Sequence, residues 1–419
     1  MLPAFDVDFD ELVIQERAGA AAATAQREAR RQELRRRRAR RLVVGAGLLL
    51  VGLSTVATAA TRPWSDDENR DRGRTTTSTA ARAVPVVAAE PARPAVPKRF
   101  PEPAEVRGVH ITHYVAGDRA WMSRFYDAAE PKRGLNTLQV DLKDEAGIVG
   151  FDAKVPLARQ AGAIQDLFDA RKLSARAHKE GLYLIGRIVM FEDPILAVAR
   201  PKLAIRRRDG SVWKNDQGLG WTNPYNRQVW DYGIDLAKEA GRQGFDEIQF
   251  DYVRFPTDGD VATAVYRPKR SWTRDETIKR FLETAVAELH PLGLKVSVDL
   301  FGLAATHKLG IGQNPRLLRS SVDAISPMTY PSHYYAGEFN IPNPDAAPYQ
   351  TMRASLRDWK RQLRGGTAKL RPWVQDFSIG TRYGATEVAA QIRAVRQATK
   401  AGFLLWNAGV EYTDGVLPR

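Results

Sequence analysis

Cysteine is absent from the 419 residues, which excludes disulfides, thiolate metal sites and a cysteine nucleophile. Histidine is scarce, and His110, His113, His307 and His333 each stand isolated. Metal binding is therefore weakly specified, since no His–carboxylate spacing accompanies the acidic residues. No Gly-rich phosphate loop follows the first candidate strand, which argues against an open nucleotide-binding sheet. No cofactor and no metal are expected.

A nucleic-acid signature is missing as well. The formal charge is +14, yet residues 1–105 hold 18 Lys/Arg against 14 Asp/Glu, which leaves +10 for the remainder. The excess is thus spread over the globular part, with no basic helix that carries base-stacking aromatics. It implies at most attraction to anionic surfaces or acidic glycans.

The chain does contain apolar material, 43% of its residues, with 27% charged. Residues 42–61, LVVGAGLLLVGLSTVATAAT, carry no charge and match the length a bilayer core requires. Arginines at positions 35–38, 40 and 41 precede them, so the positive-inside rule keeps residues 1–41 cytoplasmic and exports the chain beyond residue 61. A retained single-pass anchor is expected. The alternative is secretion after cleavage near Ala57-Thr58-Ala59, which resembles a signal-peptidase site. Residues 62–105, rich in Pro, Ala, Thr, Ser and Arg, cannot bury enough apolar surface to offset chain entropy and read as a disordered linker.

From residue 106 to 419, short β-rich runs alternate with helical stretches, the pattern of a parallel sheet with crossover helices. Eight units are countable, with strands near 107–112, 137–143, 183–191, 247–255, 295–303, 323–330, 370–377 and 403–407. Helices near 274–290 and 386–401 show the clearest 3.6-residue spacing. Gly181, Gly244, Gly293 and Gly402 stand where a helix should end just before a strand. A (β/α)₈ TIM barrel is the predicted fold, with insertions at 192–225 and 331–348 on the side where such barrels build their sites.

Alternation along a strand then sorts the side chains. Ile248, Phe250 and Tyr252 share the face that meets the helices and Gln249, Asp251 and Val253 the other, which sends Asp251 into the barrel. The same parity sends Asp141 and Asp299 inward, with Arg187 beside them. Converging carboxylates at a barrel mouth suit glycoside hydrolysis, one acting as acid and one as nucleophile or base. An ion pair that fills the barrel, with Arg187 or Arg254 as partner, is the bland alternative. Trp213, Trp221, Tyr330, Tyr334, Tyr335 and Trp406 supply rings that could stack on sugar faces or simply plug the loops.

The run Gly244-Phe245-Asp246-Glu247-Ile248-Gln249-Phe250-Asp251-Tyr252-Val253-Arg254-Phe255-Pro256 resembles the strand-four signature of a putative glycosyl hydrolase family long catalogued as a bacterial domain of unknown function. Further matching motifs are Val140-Asp141-Leu142-Lys143-Asp144, Val298-Asp299-Leu300-Phe301-Gly302, Ser326-Pro327-Met328-Thr329-Tyr330-Pro331 and Pro372-Trp373-Val374-Gln375-Asp376-Phe377. The resemblance implies a barrel related to α-amylase-like and chitinase-like hydrolases. The chitinase strand-four motif would overlay Asp246, Gln249, Asp251 and Val253, which leaves Val253 in place of its acid Glu. An amylase-like assignment instead makes Asp251 the nucleophile or base and Asp299 the acid, with Asp376 in reserve. Asp141, Arg187, Arg254, Tyr330, Gln375, Asp376, Trp406 and Trp221 are expected to bind substrate, an extracellular or cell-envelope polysaccharide. The competing function is a non-catalytic glycan-binding barrel.

Overall fold

The computed structural model describes residues 99–129 and 133–417. The apolar segment 42–61 and the expected linker up to residue 98 lie outside them. Among the described residues, no helix is long and apolar enough to cross a membrane.

Eight parallel strands close into a ring: β1 (Val106–Ile111), β2 (Thr137–Lys143), β3 (Tyr183–Val189), β4 (Glu247–Asp251), β5 (Lys295–Phe301), β6 (Ala324–Met328), β7 (Lys369–Leu370 with Trp373–Gln375) and β8 (Gly402–Trp406). Each pairs with the next, and β8 returns to β1 through Gly108↔Leu404. Strand β7 comes in two pieces, Lys369–Leu370 and Trp373–Gln375, both on β6. Pro372 lies between them and has no N–H to give to the ladder.

Helices α1 (Arg119–Asp127), α2 (Ala170–Lys179), α3 (Arg227–Arg242), α4 (Arg274–Leu289), α5 (Pro315–Leu318), α6 (Pro348–Leu363) and α7 (Ala385–Ala398) make the crossovers. Their starts follow local chemistry. Asn226 accepts from Gln228 N–H ahead of α3, and Thr273 with Glu276 forms a reciprocal capping box at α4. The expected glycine stops are present, with φ of 80°, 104°, 73° and 86° at Gly181, Gly244, Gly293 and Gly402. At Gly402 a Cβ would also overlap the Val106 backbone.

The main core lies between strands and helices, where Leu138, Val140, Phe250, Val296 and Val298 are fully buried. Phe281 of α4 meets Phe250 edge-on at 5.2 Å, and burying such a ring contributes about 1.5–3 kcal/mol. The inside of the ring is a second, smaller cluster of Val106, Tyr183, Ile185, Tyr330, Trp373 and Leu404 among polar side chains.

Two departures from expectation concern the ends of the barrel. Residues 99–105, assigned to the linker by composition, pack against the barrel base. Arg99 donates to the carbonyls of Gly241 (2.6 Å), Phe245 (2.9 Å) and Leu292 (2.8 Å), and Phe100 N–H donates to Asp246 Oδ1. At the mouth, a third insertion follows β4 in addition to the two expected, and Arg206 of the β3 insertion bridges to Val265 within it.

Candidate active site

Parity along the strands delivers the side chains that were expected at the mouth. Arg187 of β3 sits between two carboxylates. Its Nη1 donates to Asp141 Oδ1 at 2.7 Å, while Nε and Nη2 donate to Asp251 Oδ2 at 2.9 and 2.6 Å. The partner of Asp251 is thus Arg187 and not Arg254. A buried guanidinium satisfied by two carboxylates is costly to break from either side.

His110 of β1 approaches Asp141 Oδ1 at 3.1 Å and stacks on Trp406 of β8 at 4.2 Å. The Trp406 ring also receives the Arg187 guanidinium at 5.4 Å and the edge of Trp373 at 5.5 Å. Trp373 Nε1–H donates to Asp299 Oδ1 at 2.7 Å. Asp141, Arg187, Asp251, Asp299, Tyr330 and Trp406 are therefore gathered in one place.

Their electrostatics differ. Burial alone would raise Asp141, but His110 and Arg187 outweigh it and hold this carboxyl well below the usual range. For Asp299, burial and then the negative charge of Asp251 push the carboxyl well above it, and the Trp373 hydrogen bond does not compensate. Burial also raises the Tyr330 hydroxyl, with Asp299 adding to the effect. Two carboxyl groups near one another, one fixed by a guanidinium and one whose ionisation is opposed by burial and by its neighbour, suit an acid–base couple. Asp141 and Asp299 are about 1% exposed, so the site meets solvent mainly through Asp251 and Trp406.

The backbone beside Asp251 is unusual. Tyr252, the first residue after β4, has φ of 51°, a value that bulky side chains seldom adopt. This turns the Tyr252 N–H back onto Asp251 Oδ1 at 2.7 Å. Strain of this kind persists only where the surroundings over-determine it.

Four expected binding residues do other work. Gln375 is fully buried, its Oε1 accepting from Ser332 N–H and its Nε2 donating to Phe377 O, so it ties β7 to the β6 loop. Asp376 accepts from Thr413 N–H at 2.9 Å and Thr413 Oγ1 at 2.6 Å, which pins the C-terminal segment. Arg254 faces the rings of Trp221, Tyr252 and Phe301 at about 5 Å and donates to Thr257. Trp221 is wholly enclosed beneath that guanidinium and offers no free face to a sugar. Trp213, equally enclosed, donates to Asp260 O and holds the β3 and β4 insertions together. Large insertions need a small core of their own, and Trp213, Trp221 and Arg254 supply it for those after β3 and β4.

Sequence reasoning missed His110, Trp373 and Glu145. The first two occupy inward positions of β1 and β7, and the parity that found Asp141 would have found them. Glu145, in the loop after β2, reaches within 3.9 Å of Arg187, and nothing local in the sequence marks it.

A family described as "Putative glycosyl hydrolase domain" matches residues 108–412. Among solved structures, a hypothetical protein from Ruminiclostridium thermocellum ATCC 27405 is 33% identical, covering 45% of this chain and 96% of that one, with a TM-score of 0.41. The PgaB (BpsB) glycoside hydrolase domain from Bordetella bronchiseptica is 12% identical, covering 73% of this chain and 95% of that one, with a TM-score of 0.48. No curated protein matches.

Proposed function

Because the chain belongs to the family described as "Putative glycosyl hydrolase domain", we propose that its barrel hydrolyses glycosidic bonds of an extracellular or cell-envelope polysaccharide. Asp299 acts as the acid and Asp251 as the nucleophile or base. The observation that carries this reading is the elevated Asp299 carboxyl beside the guanidinium-bound Asp251. A protonated Asp299 gives its proton to the leaving oxygen as the bond to the anomeric carbon breaks. Asp251 either attacks that carbon, forming a glycosyl ester that water then cleaves, or takes a proton from the attacking water.

Asp141 and Arg187 are positioning residues that hold Asp251 in place. Trp406, Trp373 and Tyr330 supply the apolar wall against which a sugar ring can lie. Delivery outside the membrane rests on the Arg-flanked apolar segment 42–61. The test is release of reducing ends from cell-wall and capsular polysaccharides by the wild type, Asp251→Asn and Asp299→Asn. Loss of release in both variants, with each still folded and melting cooperatively, supports the reading. Equal turnover by Asp251→Asn overturns it, and glycan binding without any cleavage would favour the non-catalytic alternative.

A further inference from the structure

The excess positive charge of the globular part has a focus. Past Gln350, every exposed position of α6 is basic: Arg353, Arg357, Lys360 and Arg361, followed by Arg364 just beyond the helix. An ordinary solvated helix face mixes signs. Helix α4 does so, exposing Glu276, Arg280 and Glu283 in succession. These five cations line a groove of about 480 Å³ against Ala394, Gln397 and Ala398 of α7, and no carboxylate lines it. A larger groove between α1 and α2 contains five cations too, but Asp152, Asp166 and Asp169 line it with them.

Asp358 neutralises part of the row, lying 3.4 Å from Arg357 and 3.1 Å from Arg361. Among the described residues, Arg353, Lys360 and Arg364 pair with no carboxylate. Along the helix, positions 353, 357, 360 and 364 follow one another at i+4, i+3 and i+4, so the cations stand in a row with steps of about 5–6 Å. The row is about 16 Å long at 1.5 Å per residue. Because β-strands run toward the mouth and the helices return, it occupies the flank of the barrel, away from the catalytic carboxylates.

We propose that this groove is an accessory binding site for an anionic polysaccharide, a chain that presents a carboxylate at each successive sugar. The proposal rests on the glycoside hydrolase reading and narrows its substrate class to acidic glycans. A groove seated between two helices suits one extended chain better than a flat bilayer. Of the rings on this helix, Tyr349 is covered by the Arg393 guanidinium at 4.8 Å and Trp359 is fully buried, so neither offers nucleobases a stacking platform. Guanidinium forks match carboxylates well, and four of the five lining cations are Arg.

The experiment measures binding of the full-length protein to polygalacturonate and to its methyl ester, the same sugar chain without charge. Wild type is expected to bind the acid form, more weakly as salt rises, and to ignore the ester. The triple variant Arg353→Glu/Lys360→Glu/Arg364→Glu should weaken binding roughly ten- to hundredfold, as loss and reversal of three exposed ion pairs imply. The corresponding triple Gln variant should fall between, which covers the case where charge reversal impairs folding. No binding by wild type, equal binding of the ester, or full binding by both variants overturns the proposal. So does binding of phosphatidylglycerol vesicles or duplex DNA through these three residues in the absence of polygalacturonate binding. Failure of the catalytic reading would appear in the cleavage assays and leave this binding result untouched.

Discussion

Asp299→Asn should cripple cleavage and yet make the fold more stable at neutral pH. The folded-state carboxyl lies above its ordinary value because burial and Asp251 oppose its ionisation. An unfolded chain releases that proton near pH 3.9. Between that pH and the folded-state value the native protein holds one proton more than the unfolded chain. Wild-type stability contributed by this group is therefore complete below about pH 3.9 and is lost as pH rises, by about 1.4 kcal/mol per pH unit. Asparagine does not titrate, and its Oδ1 can still accept the Trp373 N–H. Denaturant melts of both proteins at pH 4, 5, 6 and 7 should show the variant gaining on wild type as pH rises, until the folded-state carboxyl itself ionises. In parallel, loss of the acid should reduce cleavage by about 10²–10⁴-fold. A stability difference that does not change with pH would refute the protonated assignment, whatever the activity.

Other perturbations probe the neighbouring contacts. Arg187→Met leaves Asp141 and Asp251 buried without their cation and should cost about 3–5 kcal/mol in urea melts; a loss under 1 kcal/mol would mean that the pairs are not formed. Trp373→Phe removes the one hydrogen bond seen to lower Asp299, so the alkaline limb of the kcat/KM profile should move to higher pH, and a downward move would contradict the assignment. Gly402→Ala combines φ of 86° with a clash against Val106 and should lower stability by at least about 2 kcal/mol, read by thermal denaturation.

The barrel and its carboxylates were legible because both depend on local periodicity. Strand parity placed Asp141, Arg187, Asp251 and Asp299 on one side, and the glycine stops marked four of the helix ends. The parts that stayed hidden depend on distant stretches of the chain. Tyr412 donates to His110 O across 302 residues, and Arg371 pairs with Glu247 across 124 at the barrel base. Neither has a signature within a window of any useful length. Trp221 was misread for a related reason, since the β3 insertion buries its aromatics in a core of its own, and an exposed tryptophan looks the same in sequence as an enclosed one. Composition also misplaced residues 99–105, where a proline-rich stretch that reads as linker is held by the carbonyls at the ends of α3 and the turn before β5.

That last contact has a mechanical consequence. Any pull along the chain from its N-terminal side reaches Arg99 before it reaches β1. The load passes through a fork of hydrogen bonds to Gly241, Phe245 and Leu292, which belong to the α3–β4 and α4–β5 junctions. Force is thereby shared among several neighbouring units of the ring rather than concentrated on peeling β1 from β2 and β8. The strand that carries His110 is shielded from traction by residues that a reading of composition alone would have discarded.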